Sequence, residues 1–113
     1  MNKKIKINDR TNNINGTSLV GYVKTTYANL VDKLGEPDTD FDKSTAHWSI
    51  QASDGTVATI YDYKEWTTPQ DEYYWHIGGH NQAKTLLLVE IVTDVIPVTE
   101  QSLAWNPYGG GND

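Results

Sequence analysis

Asp54-Gly55 stands between two runs rich in β-branched and aromatic residues, 45–52 and 56–64. An aspartate–glycine pair favours the positive backbone angles of a two-residue type I′ turn, so the runs are predicted to form an antiparallel hairpin. Counting outward from that loop sets Ala52 opposite Val57, Ile50 opposite Thr59, Trp48 opposite Tyr61 and His47 opposite Asp62. Side chains alternate along a strand, so the register sorts them between two faces. One face is expected to carry Trp48, Ile50, Ala52, Val57, Thr59, Tyr61 and Tyr63 as core. The reverse face collects His47, Ser49, Gln51, Asp62 and Lys64. A third strand over 72–77 adds Tyr73, Trp75 and Ile77 to the apolar side and Tyr74 and His76 to the polar one.

Helical periodicity brackets this β unit. Tyr27, Leu30, Val31 and Leu34 lie at i, i+3, i+4 and i+7, one apolar stripe; Thr25 is placed to cap it, and Gly35 and Pro37 to end it. A second helix is expected over 82–95, with Leu88, Ile91, Val92 and Val95 as its stripe, although the β-branched run 85–92 also suits a buried strand. A short strand is read at 3–7, followed by turn chemistry over 8–17. The predicted fold class is therefore α+β: a small antiparallel sheet with a central Asp-Gly hairpin and two helices packed on one face. Residues 1–15 form an N-terminal strand or arm, 16–96 the core domain, and 97–113 a tail whose Trp105 and Tyr108 are expected to dock on this chain or on a neighbour.

Composition limits the function classes. With 113 residues the chain is one domain by length. It has no cysteine, which excludes a disulfide framework and thiolate chemistry. The net charge is −6 with a single arginine, Arg10, so the basic footprint of a direct nucleic-acid binder is missing. No apolar run approaches the roughly 18 residues of a membrane span and none reads as a secretory leader, so the expected location is the cytoplasm. The Asn15-Gly16-Thr17 sequon then carries little meaning.

Chemistry-bearing residues concentrate on the expected polar face. His47 beside Asp62, with Lys64, His76 and the ring of Tyr74, supplies hydrogen-bond donors and a stacking surface, the mixture that suits an anionic ligand carrying an aromatic base. Gly78-Gly79 followed by His80 at a helix start lets backbone N–H groups approach an anion. Against this stand plainer readings: a solvated sheet face and a tight strand-to-helix turn. No nucleophile elbow, phosphate loop or helical His pair occurs, so no catalytic residue, metal ligand or cofactor is assigned. The alternating carboxylates of Glu36, Asp38, Asp40 and Asp42 lack the glycine and terminal glutamate of a calcium loop and are read as a solvated loop.

Several stretches, Gly21-Tyr22-Val23, Leu34-Gly35-Glu36-Pro37, Trp48-Ser49-Ile50, residues 54–64 and Trp75-His76-Ile77-Gly78-Gly79-His80, resemble the pattern of small accessory proteins encoded by bacteriophages. The resemblance covers about residues 16–92. It implies a setting in the host cytoplasm and a counter-defence role of the anti-CRISPR or nucleotide-sponge type.

The leading expectation is a binding protein that sequesters a nucleotide signal, preferably cyclic, without turnover, perched on His47, Asp62, Lys64, Tyr74, His76, Gly78, Gly79 and His80, and assembled as a homo-oligomer. The alternative is an acidic inhibitor of a host defence protein such as a CRISPR or restriction nuclease, docking through loop 36–42 and Trp66 or Trp105. A third reading, a phosphodiesterase-like enzyme using His47 and His76, lacks an identifiable nucleophile.

Overall fold

The computed structural model describes residues 5–102. Five strands, β1 (Ile5–Ile7), β2 (Ser18–Thr25), β3 (His47–Ala52), β4 (Val57–Tyr61) and β5 (Tyr73–Gly79), make one sheet in the order β1-β3-β4-β5-β2. Every neighbouring pair is antiparallel. Helices α1 (Tyr27–Leu34) and α2 (Gln82–Thr93) cover one face, which confirms the α+β class. Among the described residues no helix is long and apolar enough to cross a membrane.

The core lies between the helices and that face: Val23, Trp48, Ile50, Ala58, Ile60, Trp75 and Ile77 from the strands, Leu30, Leu34, Leu88 and Val89 from the helices. Trp48 and Trp75 are fully buried and meet edge to face, with ring centroids 5.6 Å apart. Burying an indole requires a partner for its N–H. Trp48 donates to the Gly35 carbonyl at 2.8 Å and Trp75 to the Thr25 carbonyl at 3.1 Å, which ties both ends of α1 to the sheet. The helix is capped by Thr26 rather than Thr25, its hydroxyl accepting from the Asn29 N–H. Thr25 instead accepts from the Asn29 side chain.

The hairpin register differs from expectation by one residue. Its loop has three residues: Gly55 N–H donates to the Ala52 carbonyl, and Ala52 N–H to the Thr56 carbonyl, each at 2.9 Å. A type I′ turn needs positive φ at both Asp54 and Gly55, but only Gly55 (φ 91°) has it. The loop is a type I turn closed by a left-handed glycine. Asp54 still serves the turn by accepting from the Thr56 N–H. Consequently Trp48 pairs with Ile60, Ser49 with Thr59 and His47 with Tyr61. The slip turns β4 over: Ala58 and Ile60 enter the core, while Val57, Thr59 and Tyr61 move to the face predicted to be polar. Burial of Ile60 in place of Tyr61 decides the register, because the phenol keeps its hydroxyl away from the dry side.

Two further features escape the periodicity argument. Strand β2 was not expected; it is interrupted by a bulge between Leu19 and Gly21, which blurs its alternation. Its outer edge pairs with Val98, which exchanges two 2.8 Å backbone hydrogen bonds with Tyr22. Gly21 permits this, since a Cβ there would meet the Val98 carbonyl. Residues 97–102 thus lie on their own domain, while Trp105 and Tyr108 fall outside the described residues.

Candidate functional site

The face opposite the helices carries a row of rings. Because residues paired across antiparallel strands share a face, His47, Tyr61, His76 and Tyr22 line up across β3, β4, β5 and β2. Successive centroids are 5.9, 5.4 and 5.2 Å apart. Tyr63 joins beside His76 at 5.6 Å. At the other end Phe41 stacks flat on His47, 3.8 Å between centroids and 13° between planes.

Two loops build walls over this floor. Loop 35–46 is pinned to β3 by Asp38, which exchanges backbone hydrogen bonds with His47 at 2.8 and 2.9 Å and so delivers Phe41 onto the imidazole. Loop 8–17 is held by Asn8, whose side chain accepts from the Ser49 N–H and donates to the Glu36 carbonyl, each at 2.8 Å. Asn12 is buried beneath it, donating to the Lys6 carbonyl and the Ser49 hydroxyl. Between the walls runs a cleft of two adjoining compartments. The aromatic one, about 450 Å³, is lined by Phe41, His47, Thr59, Tyr61 and Tyr63, with Lys43 and Asp42 on its rim. The polar one, about 470 Å³, is lined by Asn8, Asp9, Arg10, Asn12, Asp38 and Ser49. Ile14, Asn15, Phe41 and His47 border both.

The floor is electrically neutral at ordinary pH. Burial pushes the His47 imidazole down to about 4, against a smaller opposing pull from Asp38. His76 is lowered by burial too, with Asp62 and Glu65 opposing. Burial raises the Tyr61 and Tyr22 phenols, keeping them protonated. The two histidines are therefore buried, neutral rings that bring no positive charge to the floor.

The residues predicted to form one site are distributed differently. His47 and His76 share the row, with Tyr61 between them. Asp62 does not face His47, which corrects the expected pair: its carboxylate is fully buried and accepts from the N–H groups of Thr45 and Ala46 and the Thr45 hydroxyl at 2.8, 3.0 and 2.6 Å. Lys64 has a left-handed backbone (φ 56°), and its ammonium lies over the Tyr63 ring. Tyr74 sits towards the β2 edge under Lys24. Gly78 and Gly79 belong to β5 instead of a loop before the helix. A Cβ on Gly78 would overlap the Thr59 hydroxyl, and one on Gly79 the Thr85 side chain, so the pair makes room for neighbouring side chains. His80 is exposed and touches the Asn13 carbonyl at 3.3 Å.

Sequence reasoning missed Phe41, Tyr61, Tyr63 and Asn12 as cleft residues. For Tyr61 and Tyr63 the signal was present: a hairpin loop of three residues would have placed both with His47. Phe41 is the sequence's sole phenylalanine and sits in an otherwise polar loop, which was a second clue. Among the described residues no group of three or more His, Asp or Glu side chains is placed to hold a metal ion. Comparison with protein-family models, curated proteins and solved structures finds no match to this chain.

Proposed function

We propose that the protein is a binding protein for a nucleotide-type ligand, whose base lies against the aromatic compartment and is held without chemical change. The observation that carries this reading is the set of rings His47, Tyr61 and Tyr63, with Phe41 stacked on His47, that lines a cleft of about 450 Å³. Clefts of that size suit small ligands, and neutral rings side by side stack planar heterocycles of any sequence. Lys43 on the rim supports a phosphate. Binding is favoured over turnover because a buried imidazole titrating at about 4 is a poor base at neutral pH, and Asp62 is committed to the 45–46 backbone. In the setting implied by the resemblance to phage accessory proteins, such a protein sequesters a signal nucleotide in the host cytoplasm.

The test is calorimetric titration with linear and cyclic mono- and dinucleotides, followed by recovery of the ligand. Binding of at least one, weakened about tenfold or more by Tyr61→Leu, is expected, since base–aromatic stacking contributes about 1–3 kcal/mol. Absence of heat with the whole panel ends the reading, and recovery of a hydrolysed ligand ends the no-turnover part of it. Native mass spectrometry of freshly purified protein reports subunit number and any retained small molecule together.

One observation favours a second reading, docking on a host defence protein: Trp66 is 97% exposed on the β4–β5 loop. Exposed tryptophan is a common interface anchor. Pull-down from host lysate with Trp66→Ala, and with charge reversal at Glu36, Asp38, Asp40 and Asp42, separates the two readings. A partner retained by all of these variants counts against this surface.

A further inference from the structure

Helix α2 is apolar on nearly every side. Leu88 and Val89 are buried against the sheet, with Leu86 and Val92 packed partly buried beside them. Its outer face nevertheless carries Leu87 and Ile91, which are 58% and 59% exposed. They stand four residues apart, about one turn, and so form a single patch. The patch widens into a groove of about 230 Å³, whose apolar lining adds Ile5, Ala52 and Leu88. A helix that is apolar all round belongs to an interior, so this face is built to be covered.

The charges around the patch identify the cover. Lys84, Leu87, Ile91 and Asp94 follow one another at i, i+3, i+7 and i+10, one exposed stripe along the helix. Lys84 lies in the first turn and Asp94 is the C-cap; that first turn holds no acid and the last turn no base. A helix dipole favours anions at the N-terminus and cations at the C-terminus, so both charges oppose their own helix. An antiparallel neighbour of the same sequence reverses this, giving Lys84 a negative helix end and Asp94 a positive one. The stripe is also its own complement. Leu87 and Ile91 lie two residues either side of Val89, and Lys84 and Asp94 five residues either side. A half-turn rotation level with Val89 therefore brings leucine onto isoleucine and lysine onto aspartate, the self-matching that a two-fold interface requires.

We infer that the outer face of α2 is a self-association surface, on which a second copy of this chain packs its own α2 antiparallel about a two-fold axis. Leu87 then meets Ile91 of the second copy, and Lys84 meets its Asp94, at both ends of the seam. The dimer goes beyond the nucleotide reading and stands without it. The aromatic cleft lies on the sheet face opposite the helices, so pairing through α2 leaves both clefts open.

The experiment is sedimentation velocity of the full chain over a range of concentrations, where a species of twice the chain's mass is expected. Leu87→Glu should weaken the dimer at least about tenfold while circular dichroism shows the fold unchanged, since the side chain is more than half exposed. Lys84→Glu and Asp94→Lys should each weaken it about tenfold, because symmetry turns two attractions into two repulsions at once. Lysine is admissible at the left-handed position of Asp94 (φ 62°), as Lys64 (φ 56°) shows. Mixing those two variants should restore the dimer, because every lysine–aspartate contact becomes an opposite-charge pair again across the seam. A monomer at all concentrations overturns the inference and gives the face to another segment or another protein. A dimer that survives Leu87→Glu overturns it too, and a mixture no tighter than either variant alone overturns the antiparallel pairing.

Discussion

His47 stands directly across from Tyr61, and its predicted partner Asp62, one residue further on, turns its carboxylate into the backbone of Thr45 and Ala46. This single displacement converts an imagined acid–base pair into two separate devices. One is an uncharged row of aromatic rings, near-parallel at His47 and Tyr61 and tilted beyond them. The other is a buried anion that organises the start of β3.

The uncharged floor makes stability depend on pH. The His47 imidazole titrates near 4 in the fold, lowered from 6.5 by burial, so the unfolded chain binds more protons between those values. Stability is then complete above about pH 6.5 and falls as the pH is lowered towards 4. His76 is shifted in the same direction and adds to the loss. The loss from His47 alone should reach about 3 kcal/mol at the acid end. Urea titrations at several pH values would show it, and His47→Gln should flatten the curve; a slope unchanged in that variant would contradict the assignment.

The buried anion makes Asp62 a stability residue. Asp62→Ala strands two N–H groups that now donate at 2.8 and 3.0 Å, and frees the Thr45 hydroxyl, which also bonds Thr68 at 2.6 Å. Hydrogen bonds to a charged acceptor contribute about 1.5–3 kcal/mol each, and they are not additive. A loss of about 3–4 kcal/mol in denaturant titration is expected. A loss below about 1 kcal/mol would mean that water replaces the carboxylate without cost.

The class of fold was legible because it depends on features local to the chain: the stripe Tyr27, Leu30, Val31, Leu34, the aromatic runs and a turn between them. Face assignment was not, because it depends on loop length, and aspartate–glycine serves both two-residue and three-residue hairpins. A slip of one residue moved Tyr61 from expected core to cleft floor. His47 and His76 stayed on the correct face because β3 and β5 carry strong apolar alternation of their own, Trp48 with Ile50 and Trp75 with Ile77. The cleft walls were illegible for a different reason. Asn8, Asn12 and Asp38 read as turn residues, and only tertiary partners distant in sequence, such as Ser49, reveal them as anchors.

A test of the register lies in Tyr63. Its ring lies beside His76 in the cleft and its side chain remains 42% exposed. Tyr63→Ser should therefore cost less than about 1 kcal/mol, whereas Ile60→Ser, at a site of zero exposure, should cost about 3 kcal/mol or more. The predicted two-residue loop demands the opposite ranking. Thermal melts of the two variants decide between the registers.

The glycines at the end of β5 provide the last test, since they were first read as an anion-binding turn. A Cβ on Gly79 would collide with the Thr85 side chain, which is buried and donates to the Val57 carbonyl at 2.8 Å. Gly79→Ala must therefore push α2 away from the sheet, and overpacking of this kind costs about 1–3 kcal/mol. Gly35→Ala meets no neighbour within 4 Å, but its φ of 87° with ψ of −172° lies in a region open essentially to glycine alone and carries backbone strain of about 1–3 kcal/mol. Stability alone does not distinguish these two variants, so the double variant is needed. Thr85→Ala removes the Oγ1 and Cγ2 atoms nearest the added methyl, and in the Gly79→Ala background it should recover part of the loss. In the Gly35→Ala background it should only add its own cost. Recovery in neither background would show that the methyl added at Gly79 does not act through Thr85, since Gly79 lies in a strand without positive φ.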